Sequence, residues 1–255
     1  MPSGASLALS VADGVALLTL GRTPVNAMND AWVDEFHGCL DTLAARDDWS
    51  VLHLRSALKV FSAGADLKQL RDNFGRGPAV QAEVGRRYQA LFRRIEALDA
   101  VTLAEIGGAA LGGGLELALA CDLRIAAEEA RLGLPEVGLG LIPGAGGTQR
   151  LTLLCGRPQA LRLILGAAVI DGREAARIGL VQWATPASEL PERAGAIARE
   201  YARQPRHAAA AAKACIGAAA GVAEAGEAAE VAHVRRLLGT PETRRLVSAF
   251  LSRTS

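Results

Sequence analysis

The chain has 255 residues, of which 50% are hydrophobic and 22% charged, so disorder as its main state is excluded and one large domain, or a large core with a small appendage, is expected. Lys and Arg number 28 against 27 Asp and Glu, a formal charge of +1 that gives no electrostatic footprint for nucleic acid or an anionic membrane. Aromatics make up only 4%, too few for a surface that stacks bases.

Met1–Ser10 has no basic stretch leading into an apolar run, so no signal peptide is expected. The longest uncharged apolar runs, such as Leu163–Ile170, fall far short of the roughly 20 residues of a membrane span. Cys39, Cys121, Cys155 and Cys215 contain no C-x-x-C pair and read as small buried hydrophobes with free thiols, which fits a reducing cytoplasm. His37, His53, His207 and His233 show no metal-ligand spacing, and no metal site is expected.

Leu7–Val11 and Val15–Leu20 are apolar and β-branched around Asp13-Gly14, which predicts a hairpin. Asn29 or Asp30 can cap a helix whose apolar positions are Val33, Phe36, Leu40 and Leu43. Val51–Leu54 reads as a short strand. Val80, Val84, Tyr88, Leu91, Ile95 and Leu98 mark a long amphipathic helix, and Val101–Ile106 another strand. Gly112-Gly113-Gly114 opens a short helix to about Ala120, and Leu123–Ala127 is a strand again; this alternation argues for an α/β fold. Past Leu132 helical segments dominate, with Gly179 as a helix stop, Leu180–Ala184 as the last strand and Pro191 early in the next helix. From His207 to Ala232, 14 of 26 residues are alanine, which predicts two helices with Val222, Val231 and Val234 as a buried edge and an oligomer interface as cover.

Three glycine-rich stretches stand out: Phe61–Asp66, Gly112–Glu116 and Pro143–Thr148. None completes a P-loop or a dinucleotide fingerprint, and no serine-hydrolase elbow occurs. Glycine here offers backbone N–H groups that a ligand can approach closely, and at Gly113-Gly114 they lie at a helix start that favours an oxyanion. On spacing alone a plain tight turn is an equal reading. Glu116 sits in the first helical turn, where the helix dipole or a capping box explains it as well as chemistry does. Glu136 lies among apolar residues and reads equally as a solvated loop carboxylate. Two carboxylates beside one oxyanion site can add and remove protons on a carbonyl compound, but 20 residues of separation do not by themselves bring them together.

The stretches Phe61-Ser-Ala-Gly-Ala-Asp-Leu-Lys68, Ala109–Arg124 and Leu132–Leu151, followed by Gly172–Val181, resemble the enoyl-CoA hydratase/isomerase (crotonase) family over nearly the whole chain. The resemblance implies a crotonase-like α/β spiral of ββα units over residues 1–196 and a C-terminal helical trimerisation region over 197–255, giving a homotrimer or homohexamer. It implies an oxyanion hole from the amides of Ala65 and Gly113, catalytic glutamates at Glu116 and Glu136, and Gly144 near the catalytic water. Coenzyme A contacts are implied for Arg22, Val25, Lys59, Ala63, Asp66, Leu67 and Lys68. The implied substrate is an acyl-CoA thioester, with no metal and no redox cofactor, since coenzyme A is the substrate's own handle; the implied setting is β-oxidation of fatty acids.

Some positions depart from the family pattern. Arg22-Thr23-Pro24-Val25 stands where a basic Lys-Arg pair is common, with Arg22 or Lys59 as substitutes. Gly107-Gly108 replaces Asn-Gly, and Glu105 stands where a small residue is usual. Within the resemblance, an isomerase or a 3-hydroxyacyl-CoA dehydratase is the nearest alternative to a hydratase, and the presence of Glu116 speaks against an isomerase. A non-catalytic acyl-CoA binder or an RNA-binding relative is disfavoured by the carboxylate pair and the near-zero charge.

Overall fold

In the computed structural model, residues 6–218 and, apart from positions 233 and 236, residues 231–253 are described. Strands β1 (Leu7–Ala12) and β2 (Gly14–Leu20) form the expected hairpin, with Ala12 opposite Val15 and the left-handed Asp13-Gly14 pair as the turn. Helix α1 (Asp30–Ala44) begins where the Asn29 side chain accepts the Trp32 N–H at 2.9 Å, and it buries Trp32, Val33, Phe36, Leu40 and Leu43. Then follow β3 (Trp49–Ser56), α2 (Leu67–Asp72) and α3 (Pro78–Glu96), which turns Tyr88, Leu91, Phe92 and Ile95 inward.

The chain continues through β4 (Val101–Ile106), β5 (Ala110–Leu111), α4 (Gly113–Leu119), β6 (Leu123–Ala127) and β7 (Leu132–Gly133), with a 3-10 turn at Pro135–Leu139. Helix α5 (Gly147–Ala160), broken in geometry at Gly156, runs into a π turn at Leu161–Leu165. After these come β8 (Val169–Ile170), α6 (Gly172–Arg177), β9 (Trp183–Thr185), α7 (Leu190–Ala202), α8 (Arg206–Ala218) and a C-terminal helix, Pro241–Arg253.

Six strands form one sheet in the order β1-β2-β3-β4-β6-β9, parallel except for the hairpin, and β5-β7-β8 form a second. Isolated bridges, Met28 with Ala65 and Ser62 with Ala110, lengthen the second layer. The chain therefore repeats one move: a strand in the large sheet, a short bridge in the small layer, then a helix. It does so as β2–Met28–α1, β3–Ser62–α2, β4–β5–α4 and β6–β7–α5. That is the expected spiral, and each turn brings its small-layer segment beside the previous one.

Several details differ from expectation. From Leu132 onward the chain holds two unexpected strands, β7 and β8, each of two residues. The last strand starts at Trp183 because the N–H groups of Leu180 and Val181 both turn back to the Ala175 carbonyl, closing α6 instead of joining the ladder. The expected boundary at 196/197 falls inside α7, whose Leu190, Ala194, Ile197 and Ala198 are buried in the main core, so this helix belongs to the core as one piece. Of the alanine-rich segment, α8 is described, and residues 219–230, Val222 among them, lie outside the described residues. A second, smaller apolar cluster joins Leu141 to Leu238 and Val247, with Leu70, Phe74, Leu139 and Val234 against it, so the described C-terminal residues pack back on α2 and on the 3-10 turn at Pro135–Leu139.

Candidate active site

Gly64, at φ +91, carries the 61–66 loop against the turn before α4: a Cβ there would stand 2.7 Å from the Leu111 carbonyl oxygen and 2.9 Å from the Gly113 nitrogen. Only glycine fits such an approach. The Met28–Ala65 bridge uses the Gly64 carbonyl and the Asp66 N–H, both at 2.8 Å from their Met28 partners. Alternation along an extended segment then turns the Ala65 N–H the other way. It lies 3.5 Å from the point where a Cβ on Gly113 would stand. Ala65 is exposed, and Gly113 is the buried first residue of α4. Among the described residues, neither amide finds an acceptor within the chain. Two peptide donors thus share one small region.

Glu116 is 3% exposed, in the first turn of α4. Its side chain is not spent on capping its own helix. Oε1 accepts the N–H groups of Ala145 and Gly147, each at 2.8 Å, in the third glycine-rich stretch. A Cβ on Gly147 would stand 2.9 Å from that oxygen, so the glycine makes room for the carboxylate. Burial pushes the Glu116 carboxyl above the usual range, and the two amides and the Arg150 charge pull it back in part. A carboxyl whose burial disfavours its charged form is a candidate for proton exchange.

Glu136 comes from the 3-10 turn and is half-buried rather than a solvated loop carboxylate. Its Oε1 lies 3.0 Å from where a Cβ on Gly112 would stand. Gly112, at φ +54, is the turn residue directly before Gly113. The Glu136 carboxylate thus lies at the turn that opens α4, the helix that carries Glu116, while the Glu116 carboxylate itself lies against Gly147.

The other candidates spread along the same rim. Arg22 donates to the Asp66 carboxylate at 2.9 Å and to the Ala27 carbonyl at 2.6 Å, so part of its charge is already matched inside the chain. Asp66 also caps α2, accepting the Lys68 N–H at 3.0 Å. The Val25 carbonyl accepts the Ala63 N–H at 3.0 Å, and Leu67 is half-buried at the start of α2. Lys59, Ala63 and Lys68 are exposed. The Gly144 carbonyl accepts the Gln89 side-chain amide at 3.0 Å. Among the described residues no group of three or more His, Cys, Asp or Glu gathers as a metal site.

Sequence reading missed the partners that build this site: the amides of Ala145 and Gly147, and behind them Arg150, Glu96 and Gln89. The signal available was the glycine run at 144–147, which reads as room for a ligand and instead receives a side chain of the same chain.

Solved structures share this architecture. One is an enoyl-CoA hydratase from Mycobacterium avium subsp. paratuberculosis K-10, with TM-score 0.87, 26% identity and coverage of 98% of this chain and 96% of that one. Another is a putative enoyl-CoA hydratase from Streptomyces avermitilis, with TM-score 0.87, 32% identity and coverage of 97% and 91%. The fold is that of the crotonase class. A probable enoyl-CoA hydratase of Bacillus subtilis strain 168 is 41% identical over 200 residues, 78% of this chain and 77% of that protein. Residues 10–251 match the family model "Enoyl-CoA hydratase/isomerase", and the chain belongs to that family.

Proposed function

We propose that the protein is an enoyl-CoA hydratase that adds water across the double bond of a 2-enoyl-CoA thioester to give the 3-hydroxyacyl-CoA. The observation that carries the reading is the Gly112-Gly113 turn itself: the Glu136 carboxylate stands at Gly112, the Ala65 amide stands beside Gly113, and the helix that the turn opens carries the buried Glu116 in its first turn. In this reading the two amides receive the thioester carbonyl oxygen. Charge moves onto that oxygen as the enolate develops, and each such donor contributes about 2.7–4 kcal/mol to transition-state stability. Glu116 takes a proton from water as the water oxygen bonds to the β-carbon. Glu136 gives its proton to the α-carbon as the enolate collapses, and solvent resets both carboxyls. The burial that raises the Glu116 carboxyl and the two amides that hold its Oε1 support a role in proton exchange.

The chemistry as written needs no metal or redox group, and coenzyme A arrives with the substrate. Lys59 and Lys68 are the exposed cations on the 59–68 rim suited to its phosphates, with Arg22 held closer in by Asp66. We further read the protein as a cytoplasmic homotrimer or homohexamer of fatty acid β-oxidation. Free cysteines support the compartment, and exposed Leu153, Leu154, Leu161 and Leu165 on α5 and its π turn support self-association.

The test is spectrophotometric. Crotonyl-CoA should lose its conjugated-thioester absorbance with this protein, and a 3-enoyl-CoA should not gain it. Turnover of the 3-enoyl thioester alone would make the protein an isomerase, and no turnover of either would leave an acyl-CoA binder.

A further inference from the structure

The mechanism above uses Glu116 but not the charged side chains behind it. Arg150, in the first turn of α5, is 7% exposed, and its Nε and Nη2 donate to both oxygens of Glu96 on α3, at 2.7 and 2.8 Å. Its Nη1 donates to the Ala145 carbonyl at 2.6 Å. The N–H of that same residue, Ala145, donates to Glu116 at 2.8 Å. The guanidinium also lies 6.0 Å over the Phe92 ring of α3, and the Arg150 N–H closes on the Gly146 carbonyl at 2.9 Å. One residue earlier, the Gly144 carbonyl is held by Gln89, again from α3. Helix α3 thus holds the Gly144 carbonyl directly through Gln89 and the Ala145 carbonyl through the Arg150 that its Glu96 anchors, while the Ala145 and Gly147 amides face Glu116.

We infer that Arg150, anchored by Glu96, is a positioning residue: it fixes the Ala145 peptide so that the Ala145 and Gly147 amides hold the Glu116 carboxylate in its working place. This inference deepens the hydratase reading and rests on Glu116 acting in it. Three features of arginine suit the task. It has a planar fork for Glu96, a further N–H for the carbonyl, and a fixed charge beneath the loop. Lysine supplies the charge without the fork. Arg150 is also a side-chain charge that pulls against the burial of Glu116, and Glu96 holds that guanidinium by both carboxylate oxygens.

The experiment compares Arg150→Gln, Arg150→Lys, Glu96→Gln and Glu116→Gln with the parent in crotonyl-CoA hydration across pH, with thermal melts alongside. Arg150→Gln should lower kcat by about 100-fold, the cost of a displacement of roughly 1 Å at a reacting group, with KM little changed. Its acid limb should move to higher pH, because Glu116 loses the charge that opposes its burial. Glu96→Gln should lower kcat by less and leave the limb in place or move it to lower pH, because it frees the Arg150 fork but leaves the Arg150 charge without its counter-ion. Arg150→Lys should keep the limb near its parent position while recovering only part of kcat. Loss of melting temperature with a parental kcat and pH profile in the folded variants would overturn the inference and make Arg150 structural only. If Arg150→Gln does not fold, Glu96→Gln and Arg150→Lys decide between the same outcomes. Full activity in Glu116→Gln would overturn the hydratase reading instead, and an inactive Glu116→Gln beside a parental Glu96→Gln and Arg150→Lys would overturn the positioning role alone.

Discussion

In the six-stranded sheet every strand but β9 runs five to eight residues and buries Leu18, Leu20, Leu52, Leu54, Leu103 and Ile125, whereas each strand of the three-stranded sheet is two residues long. The first sheet is held by apolar area and a long ladder. The second is held by close backbone approach, with Gly64 against Leu111 and Gly133 against the Ala168 carbonyl, 2.7 Å from where its Cβ would stand. Stability and the candidate site are thereby divided: the large sheet can absorb changes of volume at a cost in free energy, while the small layer, where the candidate site lies, has no slack for an added methyl group at these glycines.

The largest expected effect lies in the small layer. Gly64→Ala should lower kcat for enoyl-CoA hydration by about 10²–10³-fold, the loss expected when one oxyanion donor is displaced. The variant should still melt cooperatively; a parental kcat would break the division. In the large sheet the opposite pattern is expected. Leu54→Ala should cost about 2–5 kcal/mol in urea unfolding, with kcat per folded molecule retained. A drop in kcat of the size predicted for Gly64→Ala would show that the sheets are coupled.

A finer test concerns a buried polar pair on two inner strands of the large sheet. His53 Nε2 and Glu105 Oε2 lie 2.8 Å apart with both side chains buried. Glu105→Leu alone strands His53 and should destabilise by about 3–5 kcal/mol, while His53→Leu with Glu105→Leu should come within a few kcal/mol of the parent or exceed it. A double-variant loss equal to the sum of the losses of Glu105→Leu and His53→Leu would mean that the contact contributes nothing.

The smallest effect is one of pH. Because burial raises the Glu116 carboxyl, the folded state keeps this proton at pH values where the unfolded chain has released it. The resulting contribution to stability is whole below the ordinary carboxylate range and is lost as pH rises through the raised value. Gln at 116 keeps an oxygen for the Ala145 and Gly147 amides and has no proton to lose. Urea midpoints of Glu116→Gln should therefore stay flatter than the parent's across that window and lie at or above it beyond. A parental pH dependence in the variant would remove Glu116 as its source.

The same division governs what the sequence reveals. β4 and β6 have the bounds that their apolar runs predict, and Asn29 caps α1, because those signals lie within a few residues of one another. β5, β7 and β8 are too short to carry a period. The contacts of Glu116 with Ala145 and Gly147 span 29 and 31 residues, a distance no local pattern crosses, so only the resemblance of the motifs brings Glu116 and Glu136 together. Arg150 and Glu96, 54 residues apart, had no such guide, and neither did His53 and Glu105, which sit in runs that otherwise read as apolar.

The most direct measurement follows crotonyl-CoA absorbance with the parent, Glu116→Gln and Glu136→Gln side by side. If both acids work on one bound thioester, each single variant should lose about 10²–10⁴-fold in rate while remaining folded, as expected for loss of a general acid or base. A variant of either residue that hydrates crotonyl-CoA at the parental rate would contradict the account.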